Sequence, residues 1–203
     1  MSGTTLRSVL ARRTSFLALV ALLLTWAATD LATAGWIQAK GWLGQALMER
    51  HWSAGADQRE ALPWPGARTR PVARLRLPEL QIDRLVVEGT ATPGLAWGPG
   101  LAQGRRGHRV IAAHRDTHFA FLGRVRPGQS VELEEASGQI SRWTVDELRV
   151  VDSRTTTLDL DAAGPRLTLV TCWPLNAVET GGPLRLLVRA RPTGGPDAAG
   201  ASG

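Results

Sequence analysis

The chain holds one cysteine, Cys172, and four histidines, His51, His108, His114 and His118. A thiolate is a strong nucleophile, and an imidazole within reach can take and return its proton, so one of each suffices for covalent acyl transfer. Cys172 closes the apolar run Thr168-Leu169-Val170-Thr171-Cys172, and Pro174 stops that strand from continuing. The thiol therefore stands at a strand end, where a cleft can open. The plain alternative is a buried cysteine acting as a small hydrophobe. His114 follows Arg109-Val110-Ile111-Ala112-Ala113 and also stands at a strand end. His118 remains open as the partner instead, and His108, lying before the strand, is the weakest of the three. The third element is Arg185, in Leu184-Arg185-Leu186-Leu187-Val188-Arg189-Ala190. It either alternates outward with Arg189 or brings its donor fork to a developing oxyanion near Cys172.

Metal chemistry is not expected. His114 and His118 are four apart, but the pair straddles a strand end and has no third ligand nearby. Asp159 and Asp161 fall short of the six or more oxygens that calcium takes. One cysteine excludes an intramolecular disulfide framework, and no cofactor is expected. The formal charge is +6, yet among the 24 basic residues only Lys40 is a lysine, and the arginines are scattered. A nucleic-acid footprint would cluster on one stripe or helix, so that partner class is not expected.

The elements that must carry these residues are short strands. Expected strands are Ala73–Leu77, Leu85–Glu88, Arg109–Ala113, Ser130–Glu135, Gln139–Val151, Arg166–Thr171 and Leu184–Ala190, with a hairpin turn at Ser137-Gly138. Helix is expected only before the linker, around Gly94–Leu101 and around Phe119–Val125. Seven or eight short strands with few helices indicate an all-β fold, a closed barrel of about eight strands. The barrel is assigned to 72–191. A Pro-rich linker, 61–71, precedes it, and a tail, 192–203, with almost nothing to bury is expected to be disordered.

The N-terminal part points to a membrane. Phe16–Ala34 is an apolar run of 19 residues, just long enough to span the hydrocarbon as a helix. Arg7, Arg12 and Arg13 precede it and only Lys40 follows closely, which keeps residues 1–15 cytoplasmic and exports the remainder. A cleaved signal peptide ending at Ala32-Thr33-Ala34 is the rival reading. Residues 35–60 read as a juxtamembrane helix whose Trp36 and Trp42 either sit at the membrane interface or pack on the domain.

Together the fragments resemble the sortase family. TLVTC (Thr168–Cys172) matches the sortase signature threonine-leucine-any-threonine-cysteine at each fixed position. LRLPELQIDRLVVEGT (Leu75–Thr90) is similar to the opening strands of a sortase barrel. AAHRDTHF (Ala112–Phe119) resembles the histidine segment, and LRLLVRA (Leu184–Ala190) the arginine strand, all in the family's order. The single anchor, the Trp-containing helix and the HRDTHF form look most like the branch found in proteobacteria.

The resemblance implies a cysteine transpeptidase. Cys172 would attack an LPXTG-like signal near the C-terminus of a target protein and form a thioester, which an amine resolves. His114 would be the general acid and base, and Arg185 would hold the oxyanion or position the peptide. Thr171 and Asp116 are candidate substrate-side contacts, Asp116 also as an orienter of imidazole. Ser153–Pro165 would wall the peptide groove. Implied partners are the target protein, the amine and the membrane; the location is the inner membrane, single-pass, with the catalytic domain extracytoplasmic.

Two other readings stand beside it. One is another exported cysteine peptidase or cell-wall transpeptidase. Papain-like enzymes, however, place cysteine before histidine, and the L,D-transpeptidase pattern needs arginine where this chain has Pro174. The other is a non-catalytic anchored β-domain that docks a partner at a sheet edge.

Overall fold

In β1 (Pro71–Leu77), Ala73, Leu75 and Leu77 are buried while Arg74 and Arg76 turn outward, the two-residue period of a half-covered strand. The other strands are β2 (Ile82–Glu88), β3 (Gly100–Gln103), β4 (His108–Ala112), β5 (Ser130–Glu135), β6 (Ile140–Asp152), β7 (Arg166–Cys172) and β8 (Leu184–Pro192), and consecutive buried residues in β2, β4, β7 and β8 mark cover on both faces. The strands form a closed barrel in the order β1-β2-β3-β4-β7-β8-β6-β5. The β2/β3 and β4/β7 pairs are parallel and the rest antiparallel. This computed structural model describes residues 3–55, 59, 61–90, 92–162, 164–177 and 181–194.

Seven strands lie where the sequence places them, within a residue or three at their ends. The eighth, β3, was expected to be helix. The helix there is shorter and earlier, α2 (Thr92–Leu95), following the N-terminal α1 (Gly3–Ser53), and Gly100–Gln103 pairs with both β2 and β4. Gly100 explains the misreading: a Cβ there would collide with the carbonyl oxygen of Gly89, so the close approach needs glycine. Around Phe119–Val125 the chain makes a short 3-10 turn, Ala120–Arg124, that buries Phe121 and Leu122.

The barrel core unites Leu75, Val86, Ile111, Phe119, Leu133, Trp143, Leu169 and Val188 with their neighbours. A second cluster lies outside the barrel wall. In β2, Val86 faces the core while Leu85 and Val87, pointing the other way, pack with Met48 and Trp52. Those two belong to α1 (Gly3–Ser53), which passes through two separate units, Met1–Lys40 and Gly41–Gly203.

Within the second unit the helix is tied down by polar bonds as well. The Gln45 side chain accepts from Leu85 N at 3.0 Å and donates to Leu85 O and Trp97 O. Arg59 donates to Trp52 O at 3.0 Å and lies 4.1 Å over the Trp52 ring. The segment therefore packs on the domain through Gln45, Met48 and Trp52, whereas Trp36 and Trp42 are 60% and 76% exposed. The Pro-rich stretch 61–71 also lies against the barrel: Trp64 joins the second cluster, and Ala67 and Thr69 are buried.

In the first unit Leu22, Leu24 and Trp26 are each about two-thirds exposed. Among the described residues no helix is long and apolar enough to cross a membrane. The side chains of 1–18, 31, 33 and 34, part of the expected cytoplasmic end and anchor, lie outside the described residues, as does the tail from 195.

Removing a fully buried tryptophan leaves a cavity that neighbours only partly fill. Trp52→Ala should lower unfolding free energy by about 3–5 kcal/mol, read as a fall in denaturant midpoint. Trp42→Ala, whose ring is 76% exposed, should leave the midpoint unchanged.

Candidate active site

Three neighbouring strands position the candidate residues. In the parallel β4/β7 pair Ala112 lies opposite Val170, so two residues further on His114 comes level with Cys172. In the antiparallel β7/β8 pair Cys172 lies opposite Arg185. Alternation then sets the face. Ile111 and Ala113 point into the core, as do Leu169, Leu186 and Val188, so His114, Cys172 and Arg185 all point outward. Two strand spacings of about 4.8 Å separate the outer two, which puts all three within about 10 Å along one face. The outward alternation proposed for Arg185 and its approach to Cys172 are therefore one arrangement, because the outer face is where the thiol stands.

Cys172 is half-buried and free, and His114 is exposed. Arg185 Nη1 donates to Gly182 O at 2.6 Å and to Leu184 O at 2.8 Å, which turns the guanidinium over its own turn. Arg189, two alternations along, instead pairs with Glu147 at 3.0 Å.

His118 differs sharply from His114. Its ring is 6% exposed. Burial, then the positive charge of Arg84, push its pKa down to about 4 against a hydrogen bond to the Ala96 backbone, with His114 adding a smaller push in the same direction. His118 is thus buried and held neutral, whereas His114 is the exposed imidazole level with Cys172.

Thr171 is 2% exposed, and its hydroxyl donates to Ala113 O at 2.8 Å. It thereby fixes the strand end before His114, and its hydroxyl is not open to a peptide. Asp116 is exposed and accepts from Arg115 Nε at 3.2 Å, so its carboxylate serves the neighbouring guanidinium.

Three residues make contacts that the sequence does not announce. Arg115 is buried, and it donates to Pro174 O and Ala177 O across 59 and 62 positions of chain. His108 and Thr168 form a latch. His108 Nδ1 meets Asp159 O at 3.0 Å, so it must carry the proton, which leaves Nε2 to accept from the Thr168 hydroxyl at 3.0 Å. The latch pins the β6–β7 segment against the outer face of β7. In the same segment Asp161 takes the Arg105 amide and guanidinium, and Asp159 accepts the Asp161 amide.

Register thus brings a thiol, an imidazole and a guanidinium to one face of an eight-stranded closed barrel. A model of the sortase domain matches residues 75–193, more than half of the chain. The chain belongs to the sortase family, whose members are cysteine transpeptidases. It is 27% identical over 110 residues to Sortase D from Bacillus subtilis (strain 168), covering 51% of this chain and 55% of that protein, so the match spans about half the relative's length.

Among solved structures it is similar to sortase A from Corynebacterium diphtheriae, with TM-score 0.54 and 22% identity over 85% of this chain and 99% of that one. It is also similar to a Clostridium perfringens Sortase D5 transpeptidase, with TM-score 0.56 and 17% identity over 77% of this chain and 99% of that one. At these identities the structural likeness is one of fold.

The His118 shift makes stability depend on pH. The unfolded chain takes up a proton there near pH 6.5 and the folded chain only near 4. This contribution is full above 6.5 and is lost as pH falls towards 4, by at most about 3 kcal/mol. His118→Gln should flatten that part of the slope, measured by comparing urea midpoints at pH 7 and pH 4.5 with those of the parent.

Proposed function

We propose that this chain is a membrane-anchored cysteine transpeptidase that cleaves an LPXTG-like sorting signal and transfers the acyl part to an amine. The observation that carries the reading is the alignment of His114, Cys172 and Arg185 on the outer face of three adjacent strands. The Cys172 thiolate attacks the threonine carbonyl of the signal. The resulting oxyanion draws on Arg185, whose Nη1 must leave Gly182 O and Leu184 O to reach it. The carbon–nitrogen bond breaks as His114 gives a proton to the departing amine, leaving a thioester on Cys172. An incoming amine then attacks the thioester and loses its proton to His114; a new amide forms and the thiolate is released.

The latched segment Ser153–Pro165 walls the groove beside Cys172. The HRDTHF form (His114–Phe119) and the tryptophan-bearing helix support placement in the branch found in proteobacteria. The test is mass spectrometry of the full chain in detergent with LPXTG peptides of varied X and triglycine. The expected result is an acyl adduct on Cys172 and a triglycine-capped product. Cys172→Ala should abolish both, His114→Ala should lose turnover while His118→Ala keeps it, and Arg185→Ala should lower kcat by about 10²–10³. Turnover by Cys172→Ala at the parental rate would overturn the mechanism.

For location we propose a single-pass protein with a cytoplasmic N-terminus and an extracytoplasmic barrel. Exposed Leu22, Leu24 and Trp26 on α1 support it, with Arg7, Arg12 and Arg13 on the N-terminal side. Alkaline extraction should leave the chain in the membrane fraction, and protease added outside the inner membrane should digest the barrel but spare residues 1–15. Release of the chain by alkali would sink the anchor.

A further inference from the structure

We propose that Arg115 is a positioning residue for the reaction, holding the His114 strand end and the Cys172 strand end at their working separation. The inference rests on the acyl-transfer reading above and names how that site is kept in register. The β4/β7 ladder runs out just before both reactive side chains. Its last backbone bond is Ala113 N to Val170 O at 3.1 Å, and Thr171 Oγ1 adds a tie to Ala113 O at 2.8 Å. Beyond that point the His114 segment turns out of the sheet while Cys172 and Trp173 stay paired only to β8, so backbone pairing between β4 and β7 no longer sets their spacing.

Arg115 resumes the connection one residue past His114. Its Nη1 donates to Pro174 O at 3.0 Å, two residues past Cys172, and its Nη2 donates to Ala177 O at 2.9 Å. Nε, on the same rigid plane, donates to Asp116 Oδ1 at 3.2 Å, which fixes the plane's tilt from the His114 side. The side chain is 5% exposed. Burying a guanidinium is costly, and the two carbonyls and the carboxylate offset that cost only while both strand ends stay in place. A planar fork reaches two carbonyls at once, whereas a lysine ammonium on its flexible stem is a point donor. Together the bonds close a bracket around the thiol and imidazole, each reactive residue lying between the end of the ladder and the guanidinium tie.

The test uses the full chain in detergent with LPXTG peptides and triglycine, alongside hydrogen exchange read by mass spectrometry. Misplacing reacting groups by about 1 Å costs on the order of 10²-fold in rate. Arg115→Gln should therefore lower kcat by about 10²-fold with KM within threefold, and Arg115→Lys should recover about tenfold of that loss. In Arg115→Gln, residues 113–119 and 173–177 should exchange faster together, while residues 130–145 keep the parental rate. Should the glutamine variant fail to fold, Arg115→Lys carries the same reading: a smaller fall in kcat and faster exchange at 173–177. Parental kcat, or parental exchange in both segments, in a folded variant overturns the proposal. If the parent itself forms no acyl adduct, the activity reading fails, and the exchange arm alone decides whether Arg115 ties the two segments.

Discussion

The parallel register of β4 and β7 is the constraint on which the site depends. Side chains alternate with period two, so a slip of one residue would turn His114 inward and put Ala113 beside the thiol. Ile111 and Ala113 on one strand and Leu167 and Leu169 on the other prevent that slip, because each fills the same apolar interior. The Thr171 hydroxyl on Ala113 O locks the last step of the ladder. β8 then has only to pair with β7 for Arg185 to arrive opposite Cys172.

A closed barrel has a whole outer face to dispose of, and this one covers it selectively. The outer side of β2 is taken by α1 through Met48 and Trp52. The outer side of β7 beside Thr168 is taken by the β6–β7 segment, pinned through His108. Leu187 shows the effect: it points away from the core, yet it is 1% exposed. Cover stops at the end of β7, where Cys172 is half-buried and His114 exposed.

Much of this was legible in the sequence because strand alternation is a local signal. The apolar runs gave seven strands, and two of them ended on the cysteine and the histidine. β3 was not legible, since its pairing with β2 spans only Val87–Gly100 and Glu88–Leu101 and depends on what glycine lacks. Thr171 and Asp116 could be marked as polar residues near the site, but not for their partners, a carbonyl 58 positions away in one case and an adjacent guanidinium in the other. Arg115 was invisible for the same reason: its targets are backbone carbonyls, which every residue carries. His118 was separable from His114 only by burial, a property of the folded chain.

Arginine carries the cationic half of the ion pairs described here, including those joining Arg74 to Glu49 and Asp83 and Arg189 to Glu147. Guanidinium stays protonated and is a poor nucleophile, whereas a free lysine amine attacks thioesters. The unit stitched together by guanidinium, Gly41–Gly203, contains no lysine, and the chain's one lysine, Lys40, falls in the first unit. For a protein whose proposed intermediate is consumed by amines, the choice of cation keeps the surface from competing with the intended acceptor: the barrel is close to blind to its own activated ester.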